Sequence, residues 1–219
     1  MMPWMNQLQV LFIDSVLLLL ARNYGFLECL EWGAGGSTVH FPHILNSTGV
    51  NYKWTSLEYD RKWFDRVRAE TNGNCKVELA YFDIKSGNPL SSTVRMDEYV
   101  EYPRTTLKRQ FDFILIDGRK RRRCLLEARS LVKDTGMVIL HDANRAHYRC
   151  AFSHYDEWKE PLQDLWVGLG SKQVLTRICD PSERDPAIAF ACFLLRKKAL
   201  RIGELYYWLK LNFPDLCCA

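Results

Sequence analysis

One stretch of the chain combines small residues with an acid in a spacing that suits ligand binding. Residues 31–38 read EWGAGGST and follow the apolar stretch FLECL at 26–30. Glycines permit a tight turn there and let backbone N–H groups approach a ligand at the start of a helix. Thr38 stands where a dinucleotide fingerprint has a third glycine or alanine, and no Gly-Lys-Ser/Thr follows as in a P-loop. We therefore expect a different ligand site, lined by Gly33, Ala34, Gly35, Gly36, Ser37 and Thr38.

Two acids define the chemistry of this expected ligand. Glu31 lies two residues before the turn, where it would repel a diphosphate and favour a positively charged ligand. Glu58 ends the next predicted strand, where an acid can accept hydrogen bonds from both hydroxyls of a ribose. S-adenosylmethionine meets both requirements, because it carries a ribose, a sulfonium and an ammonium group. Each acid also has an ordinary alternative: Glu31 as a surface carboxylate, and Glu58 as an ion-pair partner of Arg61.

A second set of polar residues follows two later strands. The stretches LIDGRKRRRC at 115–124 and LHDANRAHY at 140–148 place Asp117, His141 and Asp142 at the carboxyl ends of neighbouring parallel strands. Two carboxylates with the amide of Asn144 would suit a hard divalent cation. Without a metal, Asp117, His141 or Asp142 could act as a general base for a hydroxyl or amine nucleophile. The alternative is that the two aspartates cap the helices that follow them.

Five consecutive cations, residues 119–123, raise the question of what compensates them. They fall at a predicted helix start, where the helix dipole already places positive charge. We expect Arg119 to face an anionic substrate group and Arg121, about 200° further round the helix, to pair with Asp or Glu side chains. The irregular segment 84–110, with Tyr99 and Tyr102, and the loop that contains Arg145 are predicted to form the remaining substrate walls.

Alternating strands and helices predict an α/β fold with a parallel, doubly wound sheet. We predict one domain over 1–219, with an N-terminal helix at 5–24, a core at 26–196 and a C-terminal helix at 203–211. In the tail, VGLGSKQVLTRI and AIAFACFLLRK predict two strands paired as an antiparallel hairpin.

Composition limits the classes of function. The chain has 219 residues, 47% of them hydrophobic, a formal charge of +4 and eight cysteines without metal-finger spacing. We expect a cytoplasmic protein with a small-molecule partner rather than a nucleic acid or a membrane, and the sequence favours no particular oligomeric state. The apolar run Val10–Ala21 contains Asp14 and is shorter than the ~20 residues that span a bilayer, so it predicts a core helix.

Together, these features resemble the class I S-adenosylmethionine-dependent methyltransferases over residues 26–196, with EWGAGGST as the cofactor turn. The resemblance implies a Rossmann-like, mostly parallel, seven-stranded sheet with an antiparallel last strand. It also implies methyl transfer from S-adenosylmethionine to an oxygen or nitrogen nucleophile of a small molecule, with an anionic molecule as one option. By the family pattern, the turn from Glu31 lines the methionine side, Glu58 the ribose, and Asp83 the region of the adenine. The alternative is a non-catalytic cofactor-binding partner or RNA-binding scaffold of the same fold.

The stretches after the fourth and fifth strands look like the D-G-R-x-R-x-x-C and H-D-x-x-R-x-x-Y signatures of a group of small methyltransferases. This group lies near the families that include catechol-type O-methyltransferases. In metal-using members, an aspartate after the fourth strand and an Asp-Asn pair after the fifth hold magnesium. Asp117 and Asp142 match two of these positions. Ala143 stands at the third and Asn144 is displaced by one residue, a departure that argues against Mg²⁺.

Overall fold

Strands and helices alternate along the first two thirds of the chain. The computed structural model describes residues 1–85, 87–89, 91, 93–180, 182–197, 208 and 210. The strands are β1 Phe26–Trp32, β2 Asn51–Glu58, β3 Val77–Tyr81, β4 Phe111–Ile116, β5 Val132–His141, β6 Trp158–Leu162 and β7 Leu165–Leu169. The helices are α1 Gln7–Asn23, α2 Gly36–Thr48, α3 Arg61–Glu70, α4 Asp97–Tyr102, α5 Arg121–Leu131, α6 Arg149–Phe152, α7 Val174–Ile178 and α8 Pro186–Arg196. A π-helical turn, Pro103–Leu107, follows α4, and a 3₁₀ turn, Ala146–Tyr148, precedes α6.

The seven strands form one sheet in the order β3-β2-β1-β4-β5-β7-β6. Strands β1 to β5 pair in parallel, and β7 runs antiparallel to both β5 and β6. This arrangement confirms the predicted Rossmann-like, doubly wound sheet with an antiparallel last strand. The strand order reverses between β1 and β4, and a ligand site is expected at the carboxyl ends of the strands at this point.

The tail contains a hairpin, but not between the predicted segments. Strands β6 and β7 form it, joined through Gln163 and Asp164. The segment AIAFACFLLRK, predicted as a strand, is instead helix α8. Asp185 caps this helix through bonds of 2.9 and 3.2 Å from the N–H groups of Ala187 and Ile188, and Pro186 occupies its first turn. An Asp-Pro pair is a helix-start pattern, and it outweighs the apolar, strand-like composition that follows.

The sheet is covered on both faces. Helices α1, α2 and α8 supply one core cluster, with Phe12, Leu17, Phe41 and Phe190 among its fully buried side chains. Residues from α4 and α5 pack on the opposite face. Helix α1 agrees with the predicted N-terminal helix, and its first turn is closed by Asn6 and Gln9 in a capping box. The predicted helix at 203–211 lies outside the described residues, apart from Trp208 and Lys210. No helix in the described ranges is long and apolar enough to cross a bilayer.

Two glycines let the loops after β1 and β4 touch. Gly33 has a φ of +99°, and a Cβ built on it would lie 2.4 Å from Cα of Gly118. A Cβ on Gly118 would lie 2.1 Å from the hydroxyl of Tyr99 and 2.9 Å from Cα of Gly33. Separations this short leave no room for a side chain at either position. The contact therefore fixes how the two loops meet at the switch point of the sheet.

We predict that Gly118→Ala destabilises the protein by roughly 2–4 kcal/mol, because the added methyl group must displace the Gly33 loop or the Tyr99 ring. Gly25→Ala is the matched control: a Cβ there meets nothing within 4 Å, and Gly25 lacks the positive φ of a left-handed cap. Urea unfolding of both variants measures the difference. Equal midpoints for Gly118→Ala and wild type would show that the two loops can separate without cost.

Candidate functional site

The loops after β1, β2, β4 and β5 enclose a cavity of about 620 Å³. We call it the glycine-turn cavity. It falls in the range of ~300–1,000 Å³ that is typical of small-molecule sites. Its lining residues are Trp4, Gly33, Ala34, Gly35, Gly36, Ser37, Glu58, Tyr59, Asp60, Lys62, Trp63, Arg66, Asp117, Gly118, Arg119, Arg121, Asp142 and Arg145. Residues between positions 4 and 145 thus meet at one edge of the sheet.

The glycine turn is held by a buried carboxylate beneath it. The Glu31 side chain is fully buried and accepts hydrogen bonds from Ser37, from Thr38 at 2.7 Å and from Ser56 at 2.6 Å. Trp54 Nε1 donates to it at 3.0 Å. Thr38 Oγ1 also accepts from the N–H of Gly35 at 2.9 Å, which closes the turn onto α2.

This network gives Glu31 a different role from the predicted one. Its carboxylate does not line the cavity, and four donors of the protein already occupy its two oxygens. Burial raises the pKa of Glu31, and the hydrogen bonds from Ser37, Ser56, Thr38 and Trp54 oppose that rise. Thr38 is fully buried in the same network and also lies outside the cavity wall. The two residues hold the turn in place, while Gly33 to Ser37 form the wall itself.

The first turn of α2 has hydrogen-bonding capacity to spare. The leading N–H groups of a helix have no intrahelical partner, and here they belong to Gly36 and Ser37, which line the cavity. Gly36 is also where the N-terminal segment crosses, since a Cβ at this position would lie 1.9 Å from the carbonyl oxygen of Met2. Gly36 therefore has no room for a side chain on the side of the N-terminal segment, and on its other side its backbone lines the cavity.

Glu58 lies at the end of β2 with part of its carboxylate available to a ligand. Its side chain is buried and lines the cavity, and Oε1 accepts hydrogen bonds of 2.8 Å from the N–H groups of Tyr59 and Asp60. Burial raises the pKa of Glu58 from 4.5 to about 7, against the lowering effect of these two bonds. Among the described residues, Glu58 Oε2 accepts no hydrogen bond. The geometry suits the predicted contact with hydroxyl groups of a ligand.

Three aromatic residues of the wall were not predicted from the sequence. Tyr59 follows Glu58 directly, and its hydroxyl accepts a hydrogen bond of 3.1 Å from Arg119 Nε. Trp63 lies in the first turn of α3, which Asp60 caps by accepting from the Trp63 N–H at 2.9 Å. Trp4 packs near Trp63 with ring centroids 5.8 Å apart. Tyr59 could have been predicted as a wall residue from its position next to Glu58, an acid at the end of a strand. No local sequence pattern predicts that Trp4 contributes to the wall.

Arg121 ties the ends of β4 and β5 together. Its Nη2 donates to the carbonyl oxygen of Asp117 at 2.8 Å and to Asp117 Oδ1 at 2.9 Å. Its Nη1 donates to the carbonyl oxygen of His141 at 2.7 Å and to Asp142 Oδ2 at 2.8 Å. Nε completes the set with the carbonyl oxygen of Gly118 at 3.0 Å. This confirms the prediction that Arg121 pairs with acids. We call Asp117, His141, Asp142 and Arg121 the strand-end cluster.

The two aspartates of the strand-end cluster have different surroundings. Asp117 Oδ1 also lies 2.9 Å from His141 Nδ1, and His141 itself is buried and does not line the cavity. Asp142 adopts a left-handed backbone with a φ of +54°, and its Oδ2 lies 3.3 Å from Arg145 Nη2. Burial alone would raise the pKa of Asp142, but the charge and hydrogen bond of Arg121, with smaller effects of His141 and Arg145, lower it below its ordinary value. Asp142 is therefore held as a carboxylate.

The metal-binding alternative does not fit this geometry. Within the described ranges, no group of three His, Cys, Asp or Glu residues is placed to hold a metal ion. Asn144 is exposed and lines a different cavity, together with residues 5–8. The guanidinium of Arg121 bridges Asp117 and Asp142, so a fixed cation already compensates the two carboxylates. A divalent ion would have to displace it.

Three other predicted residues lie away from the glycine-turn cavity. Tyr99 is fully buried in the core beneath Gly118 and forms no substrate wall. Asp83 and Tyr102 line a separate cavity of about 760 Å³ next to β3, where the Tyr102 ring packs 5.1 Å from that of Phe82. Asp83 lies two residues beyond Tyr81, the residue of β3 that pairs with Glu58. Arg119 and Arg145, by contrast, do line the glycine-turn cavity.

Glu58 predicts a specific pH dependence of stability. Between pH 4.5 and about 7 the folded state keeps a proton on Glu58 that the unfolded state has lost, so the free energy of unfolding falls as pH rises through this window. Glu58→Gln mimics the protonated form. We expect it to exceed wild type in stability at pH 8, by an amount on the order of 3 kcal/mol, and to lose this advantage near pH 5.

Thermal melts of wild type, Glu58→Gln and the control Glu160→Gln at intervals from pH 5 to 8 measure this dependence. Glu160 is an exposed carboxylate outside the cavity wall, so its variant should follow wild type. A constant difference between wild type and Glu58→Gln across the range would contradict the prediction.

Because Arg121 bridges Asp117 and Asp142, we predict that divalent ions neither bind to the protein nor change its stability. Titration of the wild-type protein with Mn²⁺ should give no saturable heat, and EDTA should leave the melting temperature unchanged. Arg121→Ala should cost roughly 2–4 kcal/mol, because it removes the guanidinium that bridges two partly buried carboxylates. The exposed Arg122→Ala, one position along the same helix, is the control. Saturable Mn²⁺ binding that disappears in Asp117→Asn would show that the aspartates hold a metal after all.

Comparison with known proteins supports the fold. No family model matches the chain, and no curated protein matches it in sequence. A methyltransferase-like protein from Silicibacter pomeroyi is similar in structure, with a TM-score of 0.52 and 20% identity over 77% of this chain and 94% of that one. An O-methyltransferase from Bacillus cereus in complex with S-adenosylhomocysteine has a TM-score of 0.50 and 16% identity, over 76% of this chain and 82% of that one. A spermidine synthase in complex with the transition-state analogue AdoDATO has a TM-score of 0.52 and 12% identity, over 92% of this chain and 74% of that one. Sequence identities this low are evidence for the fold alone. The chain has the Rossmann-like fold that these proteins share.

Proposed function

We propose that the protein is an S-adenosylmethionine-dependent methyltransferase acting on an oxygen or nitrogen nucleophile of a small molecule. One observation carries the proposal: a single cavity receives the glycine turn, Glu58 and the two aspartates of the strand-end cluster from four different strand ends. This is the place where α/β sheets of this topology bind their ligands. The similar structures that contain S-adenosylhomocysteine or AdoDATO support the same class of cofactor.

The residues present suit this cofactor. The free N–H groups at the start of α2 can bind its carboxylate, because a helix start favours anions. Glu58 Oε2 can accept hydrogen bonds from ribose hydroxyls, and Tyr59 offers an aromatic wall beside it. When bound, the cofactor supplies a methyl group activated by a sulfonium. The protein has to align the nucleophile and remove its proton.

Asp117 is the candidate for accepting that proton. It lines the cavity, and only its Oδ1 is engaged by Arg121 and His141 in the described contacts. Asp142 is less suited to this role, because the rise in its pKa from burial is outweighed by the lowering effects of Arg121, His141 and Arg145. S-adenosylmethionine, held by the glycine turn and Glu58, would supply the methyl group to the acceptor atom and would keep the electron pair of the broken carbon–sulfur bond on its sulfur. The acceptor proton passes to Asp117, and His141 keeps this carboxylate in position.

The wall of the cavity also favours methyl transfer over aminopropyl transfer. The fold alone does not separate the two, because the spermidine synthase shares it. Arg119 and Arg145 line the cavity beside Asp117 and Asp142, however, and would suit an acceptor with an anionic group better than the polycationic amine that a polyamine-forming enzyme must bind. A purely cofactor-binding role would require neither Asp117 nor the acceptor space beside it.

The first test is binding. We expect isothermal titration to show saturable binding of S-adenosylhomocysteine and none of NAD, because the turn lacks the third small residue of the dinucleotide fingerprint. Glu58→Ala should weaken binding by about 1–3 kcal/mol through loss of charge-assisted hydrogen bonds to the ligand. Binding of NAD without binding of S-adenosylhomocysteine would remove the cofactor assignment. Equal S-adenosylhomocysteine affinity in both proteins would remove only Glu58 from the ribose contact.

The second test is turnover over a panel of small hydroxyl and amine acceptors, with release of S-adenosylhomocysteine as the readout. Asp117→Asn should lower turnover by about 10²-fold or more while it retains cofactor binding. Asp134→Asn is the control, since this exposed aspartate lies in β5 outside the cavity. Cofactor binding without turnover on any acceptor would favour the non-catalytic alternative.

A further inference from the structure

A second cavity adjoins the glycine-turn cavity at the start of α5. It measures about 500 Å³ and lies between the loop after β4 and the loop after β5. We call it the basic cleft. Residues 119–123 and Arg145 contribute six cationic side chains to its wall. Among the described residues, no Asp or Glu lines it.

Three of these six cations pair with acids outside the wall, among them Arg145, whose Nη2 lies 3.3 Å from Asp142 Oδ2. Arg121 pairs with the two aspartates of the strand-end cluster. Arg123 Nη2 lies 2.7 Å from Asp97 Oδ1 and 3.4 Å from Glu101 Oε1. The structure therefore assigns a structural role to this part of the basic run.

The other three cations of the run have no acid partner in the described part of the chain. Arg119 Nε donates to the hydroxyl of Tyr59, and Lys120 Nζ donates to the carbonyl oxygen of Ser91 at 2.7 Å. Both partners are neutral. Arg122 is exposed. Burial, followed by the charges of Arg123 and Arg119, lowers the pKa of Lys120, which reflects how closely like charges are gathered here.

We propose that the basic cleft binds the phosphoryl group of the methyl acceptor, and that the acceptor is a small-molecule phosphate monoester. This inference rests on the proposed function. A phosphate monoester carries about −1.5 to −2 charges at pH 7 and three acceptor oxygens, which matches three uncompensated cations better than one carboxylate does. The planar guanidinium groups can each donate two parallel hydrogen bonds to such an anion.

The position of the basic cleft suits an acceptor that spans both cavities. Gly118, Arg119, Arg121 and Arg145 line both. A molecule with its phosphoryl group between Arg119 and Arg122 would extend past the bare backbone of Gly118 towards Asp117. The volume of the cleft fits one small molecule, whereas a nucleic acid needs an extended basic surface.

The experiment compares three anions by titration calorimetry at low salt, with the protein saturated with S-adenosylhomocysteine. The probes are phenyl phosphate, benzoate and inorganic phosphate. We expect phenyl phosphate to bind at one site, about tenfold more tightly than benzoate because of its extra charge, and more tightly than inorganic phosphate because its ring contacts the shared wall. Affinity equal to that of inorganic phosphate would overturn the acceptor assignment.

Variants locate the binding. Lys120→Gln and Arg122→Gln should each weaken phenyl phosphate binding by about tenfold, the loss of one charge-assisted hydrogen bond. Neither residue lines the glycine-turn cavity, so S-adenosylhomocysteine affinity should stay at the wild-type value. Arg177→Gln, which removes one exposed positive charge from α7, is the control and should change neither affinity.

The outcomes separate this inference from the proposed function. Failure of S-adenosylhomocysteine to bind the wild-type protein would refute the proposed function itself. Normal cofactor binding with no phenyl phosphate binding, or with binding that the two variants leave unchanged, would overturn only the phosphoryl site. Binding of a short single-stranded RNA in place of phenyl phosphate would likewise replace it with a nucleic-acid surface.

Discussion

The guanidinium of Arg121 organises the carboxyl edge of the sheet. It donates to backbone carbonyls after both β4 and β5 and to the side chains of Asp117 and Asp142. A planar cation with five N–H donors can satisfy all these acceptors in one orientation, which a lysine cannot. The bridge positions the two aspartates at the cavity wall and lies where a metal ion would otherwise contact them. It also uses up one cation of the basic run and so determines which of the others stay available.

Two glutamates with similar sequence positions have opposite roles because of the donors around them. Glu31 ends up beneath the turn, where hydroxyl and indole groups surround it on α2 and β2. Glu58 meets only two backbone N–H groups, both at one oxygen. The first carboxylate stabilises the turn that the ligand would contact, and the second remains free for the ligand. A strand-ending acid is thus a candidate for binding only if its own protein leaves it unsatisfied.

The parallel core of the fold could be predicted because its local patterns agree with its tertiary structure. Buried strands such as FDFILI read as continuous apolar runs, and glycines or capping residues mark the boundaries of the helices between them. The tail was harder, because AIAFACFLLR is apolar on all sides and has no clear period. Only the Asp185 cap and Pro186 distinguish it as a helix, and burial against α1 lets every face be apolar.

The sequence by itself determined the α/β architecture, the glycine turn, the acids at the strand ends and the excess of cations after β4, because each depends on residue types at short spacings. Only the tertiary structure decided which of these side chains meet. Tyr99 became part of the core because Gly118 packs on it, and Asn144 turned towards another cavity. Trp4 joined a wall whose other residues lie between positions 33 and 145. Such contacts arise from the crossing of loops at the sheet edge, and no local pattern encodes them.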